Sequence, residues 1–133
     1  MKLIVAVFGL LVSTSAFAAG LAEMSDKDRC GFWASNAMYG ASQFMRGASR
    51  EVQFISRSTL REILMRPESV GHDKLYIVDE EGYTDVERGF LERSTLFGYD
   101  EMSMWQARDA SFRPIRDEWW QRFMAMCLEQ PAI

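Results

Sequence analysis

The stretch CGFWASNAMYGASQFMRGA, Cys30 to Ala48, decides the fold class. Its apolar and small residues are Cys30, Trp33, Ala34, Ala37, Met38, Ala41, Phe44, Met45 and Ala48. Steps of three and one between them trace a single face of an α-helix, whereas a strand would alternate in twos. Ser25 or Asp26 is placed to cap this helix, and Asp28 puts a carboxylate in the first turn, where the helix dipole favours it. The stripe is rich in alanine, with Gly40 beside it, so a partner helix can approach closely. This segment is therefore expected to be the central helix.

Phe32, Asn36, Tyr39, Gln43 and Arg46 fall on the opposite face. Aromatic side chains with an arginine are typical of interface hot spots, which makes these five a candidate partner-binding surface. The alternative is that a connector covers them.

Downstream, Val52, Ile55, Ile63 and Leu64 prolong the helical spacing. One helix from Ser25 to Arg66 would be about 60 Å long, twice the width of a small domain, so a break is expected at Gly47 or at Ser56–Ser58. Thr59 with Glu62 has the spacing of a capping box for a restart, and Pro67 ends the segment. Leu75–Val78 is a short β-like run without an evident partner strand, expected as an extended connector. Thr84 with Glu87 forms a second capping box, followed by Val86, Phe90 and Phe97 up to Gly98. Asp100 is positioned to cap a further short helix carrying Met102, Trp105 and Phe112. Pro114 opens the last helix, whose apolar stripe is Ile115, Trp119, Trp120, Phe123, Met126 and Cys127. On its outer face Glu118 and Arg122 are spaced to pair. The expectation is one all-α domain, a small bundle of about four to five helices with one extended connector loop.

The chain opens MKLIVAVFGLLVSTSAFAAG, with Lys2, an apolar run from Leu3 to Val12, and Ala16-Phe17-Ala18. These are the three parts of a cleavable secretory signal, with the cut expected after Ala18. The apolar run falls short of the roughly 20 residues that a stable membrane-spanning helix needs. Residues 1–18 are thus expected to be a signal peptide and 19–133 a single helical domain, exported to the periplasm or beyond. The net charge of −4 becomes one unit more negative once Lys2 is removed. Mixed charge with an acidic excess makes a poor match to nucleic acid, which demands a clustered basic surface, and no stable membrane insertion is expected after cleavage.

Cys30 and Cys127 lie on the apolar stripes of the first and last mature helices. An exported chain with two cysteines usually pairs them, so a disulfide joining these helices is expected. A redox role would need a second cysteine close in sequence. His72 stands alone and cannot by itself build a triad or zinc site, although Ser69 and Asp73 flank it. The acids Asp79, Glu80, Glu81, Asp85 and Glu87 cluster without the alternation of an EF-hand loop, and Asp85 and Glu87 fit helix capping. A hydrolase using His72 or these acids, for instance Glu81 with Glu101, is the alternative to a binding role. A third reading uses Met102, Met104, Met124, Met126 and Cys127 as soft ligands for Cu(I), but residues two apart on a helix face different ways. The favoured expectation is a non-enzymatic protein without cofactor or metal. It would act by contact with another envelope protein, as an inhibitor, immunity or accessory factor, with its own oligomeric state left open.

Overall fold

The computed structural model describes residues 20–67, 73–79, 82–113 and 116–129. The expected signal segment, Ser69, His72, Glu80, Glu81, Pro114 and Ile115 lie outside them. Among the described residues the fold is mostly helical. After a 3-10 turn, Leu21–Glu23, the elements are α1 (Asp26–Met45), β1 (Val52–Ile55), α2 (Arg57–Leu64), β2 (Leu75–Val78), α3 (Asp85–Arg108) and α4 (Arg116–Glu129).

α1 starts where Ser25 accepts a hydrogen bond from the Asp28 N–H, 3.1 Å, and ends at Arg46, with Gly47 next at φ +88°. The break thus falls at the first of the two expected positions. Beyond it the chain does not resume the expected helix. Val52 and Ile55 belong to a strand, and Leu75–Val78 does have a partner. β1 and β2 pair in parallel, with Val52 opposite Leu75 and Ile55 opposite Val78. α2 begins not at the Thr59 box but at Ser56, whose hydroxyl accepts from the Thr59 N–H, 3.2 Å. β1, α2 and β2 form a small crossover unit, as parallel strands require a connection between their ends.

α3 also departs from expectation. It runs unbroken through Gly98 and Asp100 to Arg108, opened by the Thr84–Glu87 capping box. Gly98 does not stop the helix because its missing side chain serves packing. A Cβ there would collide with the Ala37 carbonyl of α1, and one at Gly40 with the Thr95 carbonyl of α3. Two glycines thus let the backbones of α1 and α3 meet, in keeping with the alanine-rich stripe of α1.

The direction of each helix follows from its contacts. Trp33 packs on Phe90 and Phe97, Gly40 meets Thr95, and Phe44 packs on Tyr99, so α1 and α3 run parallel. Cys30 is bonded to Cys127, whereas Met38 lies near Trp120, so α4 runs antiparallel to α1. α1 packs against both other long helices. α3 and α4 meet through rings, Trp105 with Trp119 at 4.5 Å and Phe97 with Phe123 at 5.9 Å. Ala34, Ala37, Ala41, Met102, Trp119 and Phe123 form the main core. A second cluster around Phe90 and Leu91 takes Phe32 and Trp33 from α1 and Phe54 and Ile77 from the strands. Phe54 and Ile77 are register partners, so one face of the strand pair is seated on α1 and α3.

The disulfide forms as expected, Cys30 to Cys127, with the Cα atoms 5.5 Å apart and both residues buried.

Candidate docking surface

The five residues on the far face of α1 meet different surroundings. Phe32 is half-buried against the Phe90–Leu91 cluster. Tyr39, also half-buried, donates its hydroxyl to the Tyr76 carbonyl of β2, 2.7 Å, and burial pushes its pKa up. Asn36, between them, has a buried side-chain nitrogen with no hydrogen-bond partner among the described residues. Gln43 is half-buried and Arg46 exposed, at the open end of the helix. The strand layer therefore sits over part of this face, and Arg46 at its end is exposed.

The acids of the hydrolase reading have other engagements. Asp79, its side chain 8% exposed, accepts from the Tyr83 N–H at 3.0 Å and from Arg88 Nε at 2.8 Å. The Tyr83 hydrogen bond, with the Arg88 guanidinium behind it, holds this carboxyl below the usual carboxylate range. Glu87 closes the capping box by accepting from the Thr84 N–H, 2.8 Å, and Asp85 stands 3.8 Å from Arg88. Glu101 is half-buried on α3, and that burial pushes its carboxyl up. Both cysteines are consumed by the disulfide, so neither offers a thiolate to a soft metal. Met102 is buried, Met104 is exposed, and Met124 and Met126 pack partly on the core.

A different surface opens between α1 and α4. Ser35, Met38, Asp117 and Trp120 line a shallow groove of about 240 Å³. Trp120 is 39% exposed and Leu128 48%, whereas Trp119, Phe123 and Cys127 are buried. The expected stripe of α4 is thereby corrected. Trp119 and Trp120 are adjacent, hence about 100° apart around the helix, and it is Trp119 that shares its angle with Phe123 and Met126, four and seven residues on. That separation is the signal in the sequence that marks Trp120 as a surface residue.

No helix among the described residues is long and apolar enough to cross a membrane. No family model, curated protein or solved structure matches the chain.

Proposed function

We propose that the protein is exported and acts by binding another protein of the cell envelope, as an inhibitor, immunity or accessory factor. The observation that carries this reading is the exposed indole of Trp120 over the α1–α4 groove. A tryptophan in a shallow groove is the type of anchor that dominates protein–protein contacts. The buried disulfide supports an oxidising compartment, in line with the signal-like start. Asp79 and Glu87 hold local structure together, and the disulfide occupies both thiols. Among the described residues, no specific observation favours the hydrolase or the Cu(I) reading.

The test uses the oxidised mature chain, Ala19–Ile133, immobilised in a periplasmic extract of its own source. The expected result is saturable retention of a discrete protein, competed away by free mature chain. Retention no greater than that of an unrelated disulfide-bonded helical protein would sink the proposal.

A further inference from the structure

We propose that the α1–α4 groove seats a basic amphipathic helix of the partner, packed as a fourth helix on the α1–α3–α4 core. The inference rests on the binding function proposed above and names its site and ligand class.

Trp120, Met124 and Leu128 recur at intervals of four along α4, a stripe that the core leaves partly uncovered. It spans about 12 Å of helix, the length that three anchors at i, i+4 and i+7 of a docked helix would cover. The facing strip of α1 is small. Gly31 and Ser35 precede Met38 at helical spacing, and a Cβ built on Gly31 meets nothing within 4 Å. A helix backbone can therefore come close on the α1 side while its apolar side chains reach the α4 stripe.

Charge selects the occupant. Asp117 lines the groove and is exposed. Asp28 is exposed on the same strip of α1, one turn before Gly31, with Lys27 beside it only at that far end. The groove thus carries an exposed carboxylate toward each end, Asp117 beside Trp120 and Asp28 toward Leu128. A lysine or arginine at the Trp120 end pairs with Asp117 and can lie over the Trp120 ring, a cation–π contact. A second copy of this chain would bring Asp117 toward like charge, so the groove selects a basic partner over itself.

The probe is a synthetic amphipathic helical peptide of leucine and lysine, with a leucine–glutamate peptide of the same pattern as its opposite. Each is titrated into the ¹⁵N-labelled, oxidised mature protein. The Trp120 indole and the amides of Ser35, Met38 and Leu128 are expected to shift with the lysine peptide and not with the glutamate one. Trp120→Ala should weaken binding about thirtyfold, the scale of a hot-spot loss. Asp117→Lys should weaken the lysine peptide and admit the glutamate peptide. Both side chains are exposed, so the variants should keep the wild-type circular dichroism. Equal response to the two peptides, shifts confined to the Phe32–Arg46 face, or sedimentation showing a self-associated dimer closed over Trp120 would overturn the proposal. A natural partner captured equally by wild type and Trp120→Ala overturns the groove but leaves the binding function standing. A groove that takes the lysine peptide while the wild type captures no partner does the reverse.

Discussion

The three long helices and the β1–α2–β2 crossover are held by different kinds of force. α1, α3 and α4 are joined by backbone-close packing at Gly40 and Gly98, a cluster of stacked and edge-on rings, and one buried disulfide. The crossover rests on a short parallel ladder, the Phe54 and Ile77 side chains, the Tyr39 hydroxyl and ion pairs at its borders. It also carries two well-exposed apolar side chains, Leu64 at 56% and Met65 at 87%, at the end of α2. Tight burial resists opening, whereas few buried contacts and a short ladder invite local unfolding. The crossover should therefore open while the helical core stays closed.

The largest test of that contrast removes the disulfide. Cys30 and Cys127 are 97 residues apart, and closing a loop of that size is worth about 4.7 kcal/mol in the chain-entropy model. Cys30→Ala with Cys127→Ala should cost about 4 kcal/mol in urea denaturation. α4 should lose hydrogen-exchange protection first, because the bond ties its C-terminal end to the start of α1. The ladder amides of Leu75 and Asp79, which donate to Glu51 and Ile55, should exchange at unchanged rates. If they accelerate in parallel with α4, core and crossover are one cooperative unit and the comparison fails.

A second test addresses the helix crossing. Gly98→Ala drives a methyl into the Ala37 carbonyl, and backbone must move to admit it, at a cost of about 3 kcal/mol. Gly31→Ala, on α1, is the control. Gly31 faces open space, so alanine there should stabilise by about 0.5 kcal/mol through helix propensity. Thermal melts of the two variants should move in opposite directions. Equal shifts would mean that close approach at Gly98 contributes nothing.

These glycines also separate what is legible in a sequence from what is not. The stripe from Cys30 to Ala48 is legible because each position repeats the same helical angle, and the disulfide follows from two lone cysteines on apolar stripes. Gly98 reads as a stop, since its local propensity is that of a helix breaker; the reason it is tolerated lies across space, in Ala37. β1 is hidden because Val52 and Ile55 are three apart, a step that a helix shares, while the strand partner begins only at Leu75. Trp120 reads as core when both tryptophans count simply as apolar, and as surface once their angles are compared. Local periodicity reports what each element does for itself, and tertiary contact decides the rest.

A smaller effect distinguishes the border of the crossover by pH. Asp79 follows β2 and bonds Tyr83 and Arg88, at the start of α3, so its carboxylate ties the two together. Its folded pKa lies below the unfolded value of about 3.9. The stabilisation is therefore complete above that unfolded value and is lost as pH falls through the lower, folded one. The protection of the Asp79 and Tyr83 amides, taken relative to free exchange of the unfolded chain at the same pH, should fall below about pH 4 in wild type. In Asp79→Asn the acid limb should be flatter, since no charge is left to titrate. An identical acid limb in the variant would show that the Asp79 carboxylate does not tie β2 to α3.

The smallest effect is expected at the other border, where appearance is most misleading. Arg50 donates from Nε and Nη2 to both oxygens of Asp100, each at 2.8 Å, joining the approach to β1 to α3. The fork is well formed, but the side chains are 57% and 50% exposed. Water at such a site weakens the attraction, and fixing two long side chains costs entropy. Arg50→Ala should therefore lower stability by only about 0.5 kcal/mol. Most of that should vanish near 1 M salt, where the screening length is about 3 Å. Close by, the Tyr99 hydroxyl donates to the Ala48 carbonyl at 2.7 Å and keeps the junction in place without the charge. A loss well beyond about 1 kcal/mol, persisting in salt, would mean that the crossover is bolted to the core electrostatically, and it would then open with the core rather than before it.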